Sequence, residues 1–349
     1  MKRELLELLA DPISRAPLRL SNAEMVGDEI VSGVLDDGAG HTYPITNGIP
    51  RLAATNDENQ LQTSQSFGYK WGRRETYESA SFNEFRIHWF LQRCGFRDEA
   101  EMLSYFSQPQ SILDAGCGSG TSSSLWLRPE NRTRWYGLEI SGCIDVAKER
   151  LTNIPNAHFV QGDMMKPPFR ERSFEMIYAL GTLHHTPSTE AALQSLIQFL
   201  KPGGQFLFYV YRKKSPIREF TDDYVREIVS GLPPPEAWER LKPLTKLGET
   251  LAKLKAEIAV EEDIPDLGIR AGKYDVQRFI YWHFAKLFWN ENLSFDENHH
   301  VNFDWYHPRY AHRHTEEEIR RWCAEAGLAI QHFRAEESGF TVRGILERE

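Results

Sequence analysis

The run Ser111-Ile112-Leu113-Asp114-Ala115-Gly116-Cys117-Gly118-Ser119-Gly120 reads as an apolar strand ending at Asp114, turning through three glycines into a helix that starts near Thr121. Glycines let the backbone turn sharply and approach a ligand closely, and free N–H groups at a helix start favour electron-rich atoms. Outward from this turn, apolar runs at Trp135–Ile140, Ala157–Asp163, Glu175–Leu183 and Gln205–Tyr211 alternate with helical segments. That rhythm predicts βαβ units and a doubly wound parallel sheet. Leu200-Lys201-Pro202-Gly203-Gly204 supplies a helix stop and a tight turn before the fifth run.

A second acidic residue, Glu139, falls nineteen positions after Gly120 at the end of the second run. A carboxylate there can accept hydrogen bonds from both hydroxyls of a ribose, so the pair predicts an adenosine-type ligand. The same geometry suits NAD. Two details favour a sulfonium cofactor: Asp114 precedes the glycines, and Asp163 closes the third run in Gly162-Asp163-Met164, where it can accept from an adenine amino group with Met164 against the ring.

Residues 111 to about 211 resemble a class I S-adenosylmethionine-dependent methyltransferase. The resemblance lies in Leu113 through Thr121, Glu139, Gly162-Asp163-Met164, Ala179-Leu180-Gly181-Thr182-Leu183-His184-His185-Thr186-Pro187 and the Leu200–Gly204 turn. It departs at Glu175, where the family usually has aspartate. The resemblance implies a Rossmann-like, seven-stranded, mostly parallel sheet with helices on both faces, completed by strand-like runs at Leu328–Arg334 and Gly339–Leu346. It implies S-adenosylmethionine as cofactor, held by Asp114, Gly116, Cys117, Gly118, Gly120, Thr121, Glu139, Ile140, Gly162, Asp163, Met164 and Leu180.

Five segments follow from pattern. Residues 1–54 read as a small β-rich module whose Leu9-x-Asp11-Pro12-Ile13-Ser14 start and Tyr43-Pro44-Ile45-Thr46-Asn47-Gly48-Ile49-Pro50 end resemble a Trm112-like domain. The paired cysteines of that family are replaced by Asp11, Ser14, Asp36 and Ala39, so the resemblance implies no zinc there. Residues 55–110 read as a polar linker to about Ser66 and then an aromatic helical extension. Its Gln65-Ser66-Phe67-Gly68-Tyr69-Lys70-Trp71 resembles the segment that closes over the cofactor in many methyltransferases. Tyr69 and Trp71 either touch the methionine end of the cofactor or only pack the extension on the core. Residues 111–214 form the cofactor-binding core, 215–313 a helical, aromatic-rich insertion or lid, and 314–349 a helix and β-hairpin. Thr315 with Glu318 marks that helix start as a capping box.

Methyl transfer from a sulfonium is an in-line displacement, so the main demand is to hold the nucleophile close and exclude water. Where the acceptor must lose a proton, His184, His185 and Tyr306 are the candidate bases. In the insertion, Asn302, Asp304, Trp305, Arg309 and Tyr310 mix polar groups with large rings in an expected loop, which suits substrate contact. Tyr211, Arg212 and Arg218 follow the fifth strand on the ligand side. The two arginines either grip a carboxylate or phosphate or belong to a solvated charge run. The histidines at 299, 300, 307, 312 and 314 have no recognisable ligand spacing, so no metal is expected.

A formal charge of −9 gives no general positive field, which counts against nucleic acid as a partner. The basic, then apolar start is interrupted by glutamates, no run nears the roughly 18 apolar residues of a membrane span, and the four cysteines are unpaired in spacing. A cytoplasmic protein acting on a small or medium-sized metabolite is the expectation. The alternative is methylation of tRNA, other RNA or a protein, with the N-terminal module as docking surface.

Overall fold

The computed structural model describes residues 1–53 and 55–347; the module boundary expected at Ala54 and the last two residues lie outside the described chain. The chain opens with helix α1 (Arg3–Leu8) and an antiparallel sheet of β1 (Arg19–Val26), β2 (Glu29–Asp36), β3 (Thr42–Thr46) and β4 (Ile49–Pro50). Helices α2 (Glu58–Gly72), α3 (Ala80–Cys94) and α4 (Glu99–Ser107) follow. The expected polar linker is therefore helical from Glu58. Asp57 caps it by accepting from the Gln60 amide, a start signal the polar composition concealed.

The core is built from β5 (Ser111–Ala115), β6 (Arg134–Glu139), α5 (Ile144–Arg150), β7 (Ala157–Gln161), β8 (Phe174–Leu180), α6 (Thr189–Ile197) and β9 (Leu200–Tyr211). Over it lie α7 (Pro216–Val229), α8 (Pro234–Lys253), a hairpin of β10 (Glu257–Val260) and β11 (Gly272–Asp275), α9 (Val276–His283) and α10 (Phe295–Tyr306). Helix α11 (Glu316–Glu325) and the hairpin β12 (Leu328–Ala335) and β13 (Gly339–Leu346) close the chain. The seven-stranded sheet has the order β12-β13-β9-β8-β5-β6-β7, and β13 alone runs against its neighbours. This is the Rossmann-like α/β fold expected from the repeating runs.

Strand β5 is buried along its whole length because both faces of the sheet are covered, which is why it reads as an unbroken apolar run. Leu113 and Ala115 pack with Phe206, Phe208 and Val210, whereas Ile112 packs with Phe106, Trp126 and Tyr178 on the opposite face. The chain direction across the sheet reverses between β5 and β8. In open α/β sheets the crevice outside the strand ends at that point is where ligands bind.

The N-terminal module joins the same core. Leu5, Leu9 and Leu52 share a cluster with Phe169 and Phe174. Arg51 makes an ion pair to Asp145 of α5, 2.7 Å, and Leu52 donates its amide to the Gln161 carbonyl. At Asp11, the carboxylate accepts from the amides of Ile13 and Ser14 and from the Tyr43 hydroxyl, and it has neighbours in Asp37 and His41.

The capping box at α11 is formed on both sides, with Thr315 accepting from the Glu318 amide and Glu318 from the Thr315 amide. Thr315→Ala is expected to lower stability by about 1 kcal/mol, measured as a shift of the urea midpoint.

Candidate active site

A cavity of about 860 Å³ opens at the carboxyl ends of the central strands and runs beneath the helices above them. Gly116, Cys117, Gly118, Thr121, Glu139, Ile140, Gly162, Asp163, Met164, Leu180 and Trp71 line its sheet end, so eleven of the expected cofactor positions come together.

The glycines there are required by contact as well as by conformation. Gly116 has φ +80°, and a Cβ on it would come within 2.6 Å of Thr182. Gly118 has φ +55°, and a Cβ would stand 3.1 Å from the Trp71 indole nitrogen. Glu139 is held by two amides, with Gly118 donating to Oε2 at 3.0 Å and Ser141 to Oε1 at 2.8 Å. Each oxygen keeps acceptor capacity toward the cavity. Asp163 accepts from the Met165 amide through Oδ1, at 2.8 Å. Burial pushes the carboxyls of both Glu139 and Asp163 up, against the hydrogen bonds that favour their charge. A cradle that has no room for Cβ atoms and ends in a carboxylate with free lone pairs fits a nucleoside.

Three expected cofactor residues lie elsewhere. Asp114 lies inside β5, one residue short of its end and beneath the glycine turn, and its side chain points among Ser123 and Tyr178 without lining the cavity. Its carboxylate accepts from Ser123 at 2.6 Å and Tyr178 at 2.5 Å, and burial raises it to about 7. Gly120 packs on Ala147 of α5 and on Leu151 just past its end. Tyr69 faces Trp238 and Phe303, with ring centroids 6.2 and 5.8 Å away. The helix expected near Thr121 is a single 3-10 turn, Ser123–Leu125.

At the other end, Tyr211, Arg212, Arg218, Asp304 and Trp305 line the cavity, whereas Asn302, Arg309 and Tyr310 do not. Of the segment expected as a loop, residues 302–306 belong to α10 while Arg309 and Tyr310 follow it outside any helix, and only the face of α10 carrying His300, Val301, Asp304 and Trp305 looks into the cavity, which is helical spacing. Asn302 is spent internally, accepting from the Phe288 amide and donating to Thr245. The Arg309 amide donates to Gln62, and the Tyr310 hydroxyl to Asp57.

Of the candidate bases, only His185 reaches the cavity. Its Nδ1 stands 2.6 Å from the Tyr310 carbonyl, which can only accept, so Nδ1 carries the proton and Nε2 keeps a lone pair. Burial lowers this imidazole to about 4. His184 is fully buried against the Tyr211 ring, with centroids 3.7 Å apart and neither nitrogen hydrogen-bonded among the described residues. The Tyr306 hydroxyl donates to Asp222, 2.9 Å away in the interior.

With a folded pKa below the ordinary 6.5, His185 is neutral above about 4 and contributes stability that is lost as pH falls from 6.5 toward 4. His185→Gln is expected to lose less stability than the parent over that interval in urea titrations at stepped pH.

Several lining groups went unread in the sequence. Lys70 forms an ion pair with Asp304 at 2.6 Å and lies 4.0 Å from the Trp71 ring. This pairing, mainly, holds the Asp304 carboxyl down at about 2 despite its burial. Phe67, Lys70 and Trp71 share one helical face, as do Phe82, Phe85, Arg86, Trp89 and Arg93 on α3. Helical periodicity would have exposed both stripes. Lys286 had no local signal.

Residues 112–204 match the family profile described as a methyltransferase domain. Together with the fold, this match identifies residues 112–204 as a methyltransferase domain. Among curated proteins the chain is similar to 24-methylenesterol C-methyltransferase 2 of Arabidopsis thaliana, 25% identical over 201 residues, covering 56% of this chain and 55% of that protein. It is also similar to the tRNA (carboxymethyluridine(34)-5-O)-methyltransferase alkbh8 of Xenopus tropicalis, 24% identical over 257 residues, covering 71% of this chain and 37% of that protein. The chain spans about half the length, or less, of the curated relatives it matches. A solved structure of the magnesium protoporphyrin IX methyltransferase of Synechocystis PCC 6803 aligns with a TM-score of 0.44 at 11% identity, covering 85% of this chain and all of that one.

Proposed function

We propose that the protein transfers a methyl group from S-adenosylmethionine to a small or medium-sized metabolite enclosed beneath residues 215–313. The observation that carries this reading is the continuity of one cavity, from Glu139 and Asp163 at the strand ends to Tyr211, Tyr281, Trp282 and Trp305 under the helices. Bound S-adenosylmethionine supplies an electrophilic methyl on a sulfonium. Glu139 accepts the ribose hydroxyls, Asp163 the adenine amino group, and the Gly116–Gly118 turn lets the backbone approach. The aromatic walls exclude water and orient the acceptor, which is most of what an in-line displacement asks of a protein. Where the acceptor bears a proton, the Nε2 lone pair of His185 is the group on the cavity wall that can take it. Residues 1–53 serve as a metal-free, Trm112-like structural module continuous with the core.

The test has two stages. Titration calorimetry with S-adenosylhomocysteine should give binding, and titration with NAD should not; the reverse overturns the cofactor assignment. Methyl-labelled S-adenosylmethionine is then incubated with the protein and a fractionated cell extract. Label in the small-molecule fraction supports the reading, and label confined to RNA or protein overturns the enclosed metabolite.

A further inference from the structure

The cavity wall away from Glu139 carries more positive charge than its own acids answer. Lys70, Arg93, Arg212, Lys214, Arg218 and Lys286 all reach it, in a chain whose formal charge is −9. Three of these have close partners: Lys70 pairs with Asp304 at 2.6 Å, Arg218 with Asp222 at 2.5 Å, and Lys214 donates to the Glu337 carbonyl. Among the described residues the Arg212 guanidinium has a 3.5 Å contact to the Glu336 carbonyl and lies 5.7 Å from the Phe340 ring centroid.

Arg93 and Lys286 stand apart. Arg93 is 9% exposed, and its Nε and Nη1 have no hydrogen-bond partner among the described residues. The Glu336 carboxylate is 3.6 Å from Nη1 and is itself held by Arg334 at 2.6 Å. The Arg93 guanidinium instead lies over the rings of Trp89 and Tyr209, 4.5 and 4.2 Å from their centroids. Lys286 is 6% exposed, and among the described residues its ammonium has no hydrogen-bond or ion-pair partner, only the Trp305 ring at 4.5 Å.

Burial lowers the Lys286 amine to about 7; Asp304 and Asp222 favour its charge, and Arg218 and Lys70 oppose it. A buried cation without an acceptor is costly, and a bound anion relieves that cost. Lys286 is such a cation, and Arg93, whose ion pair to Glu336 is long and shared with Arg334, lines the same aromatic-walled cavity with two guanidinium nitrogens free of hydrogen bonds among the described residues.

We propose that the methyl acceptor carries an anionic group, a carboxylate or a phosphate, which Lys286 and Arg93 bind while its apolar body lies against Trp89, Tyr209, Trp282 and Trp305. The inference rests on the enclosed-metabolite reading above and names the chemistry of that metabolite. Closed in a low-dielectric cavity, charge-assisted bonds of this kind discriminate strongly between an anion and a neutral isostere.

The experiment uses protein saturated with S-adenosylhomocysteine and three probes of one shape: 1-naphthoate, 1-naphthyl phosphate and neutral 1-naphthylmethanol. One anion is expected to bind at least about tenfold tighter than the alcohol, and which one does so decides between carboxylate and phosphate. Lys286→Met and Arg93→Met should each reduce that preference while leaving affinity for S-adenosylhomocysteine intact. Should either variant fail to melt cooperatively, the other, together with the weakening of anion binding by added salt, carries the test. An alcohol that binds as tightly as both anions, no binding by any probe, or a preference that survives in a folded variant overturns the proposal. Failure to bind S-adenosylhomocysteine at the outset is a failure of the cofactor reading and is seen before any probe is added.

Discussion

Glu139→Ala is expected to weaken binding of S-adenosylhomocysteine by tenfold to a hundredfold, the equivalent of a lost charged hydrogen bond worth about 1.5–3 kcal/mol. Two consequences combine. The carboxylate that would accept from the ribose hydroxyls is gone, and the amides of Gly118 and Ser141, now held at 3.0 and 2.8 Å, lose their shared acceptor. The Gly118 amide belongs to the turn that gives the ligand its close approach, so that turn loosens with it. Glu139→Gln keeps one carbonyl oxygen but sets an amide NH2 against one of the two donors, and it should fall between the parent and Ala. Calorimetric titration reads the affinity, and a thermal melt on the same samples shows that the fold persists. Unchanged affinity in both variants would remove the ribose from this position.

The sheet was legible because its strands are buried on both faces and read as apolar runs alternating with helical segments. Glu139 and Asp163 could be placed because each ends a strand at the ligand edge. Asp114 could not, since it sits inside the strand below the turn, where Ser123 and Tyr178, neither adjacent to it in sequence, take up its carboxylate. In residues 302–306, polar composition suggested a loop, yet Ser294 and Glu297 form a capping box that starts α10 and makes Asn302 and Tyr306 interior residues. Lys286 shows what local pattern cannot supply. Its environment is made by Asp222, Asp304 and Trp305, brought together only when α7 and α10 pack.

Arg218→Met is expected to cost about 3–5 kcal/mol of stability, because it leaves the Asp222 carboxylate buried without its cation. Both side chains are 1% exposed and their nitrogen and oxygen lie 2.5 Å apart. Asp222 also accepts from the Trp305 indole at 2.7 Å, the Tyr306 hydroxyl at 2.9 Å and the Lys286 amide at 3.2 Å, while Arg218 donates to the Tyr281 carbonyl. One ion pair thus ties α7, α9 and α10 into the roof of the cavity, and its loss should lower the urea midpoint and also weaken binding of the naphthyl anions. Adding Asp222→Asn to Arg218→Met removes the uncompensated charge but keeps one acceptor oxygen, so part of the stability should return. Recovery of nothing would locate the cost in packing, since the guanidinium also lies 5.1 Å from the Tyr281 ring centroid and 5.4 Å from that of Trp305. Recovery of most of it would make the buried charge the dominant element of the roof, and would separate the arginine's structural duty from the substrate contact first expected of it.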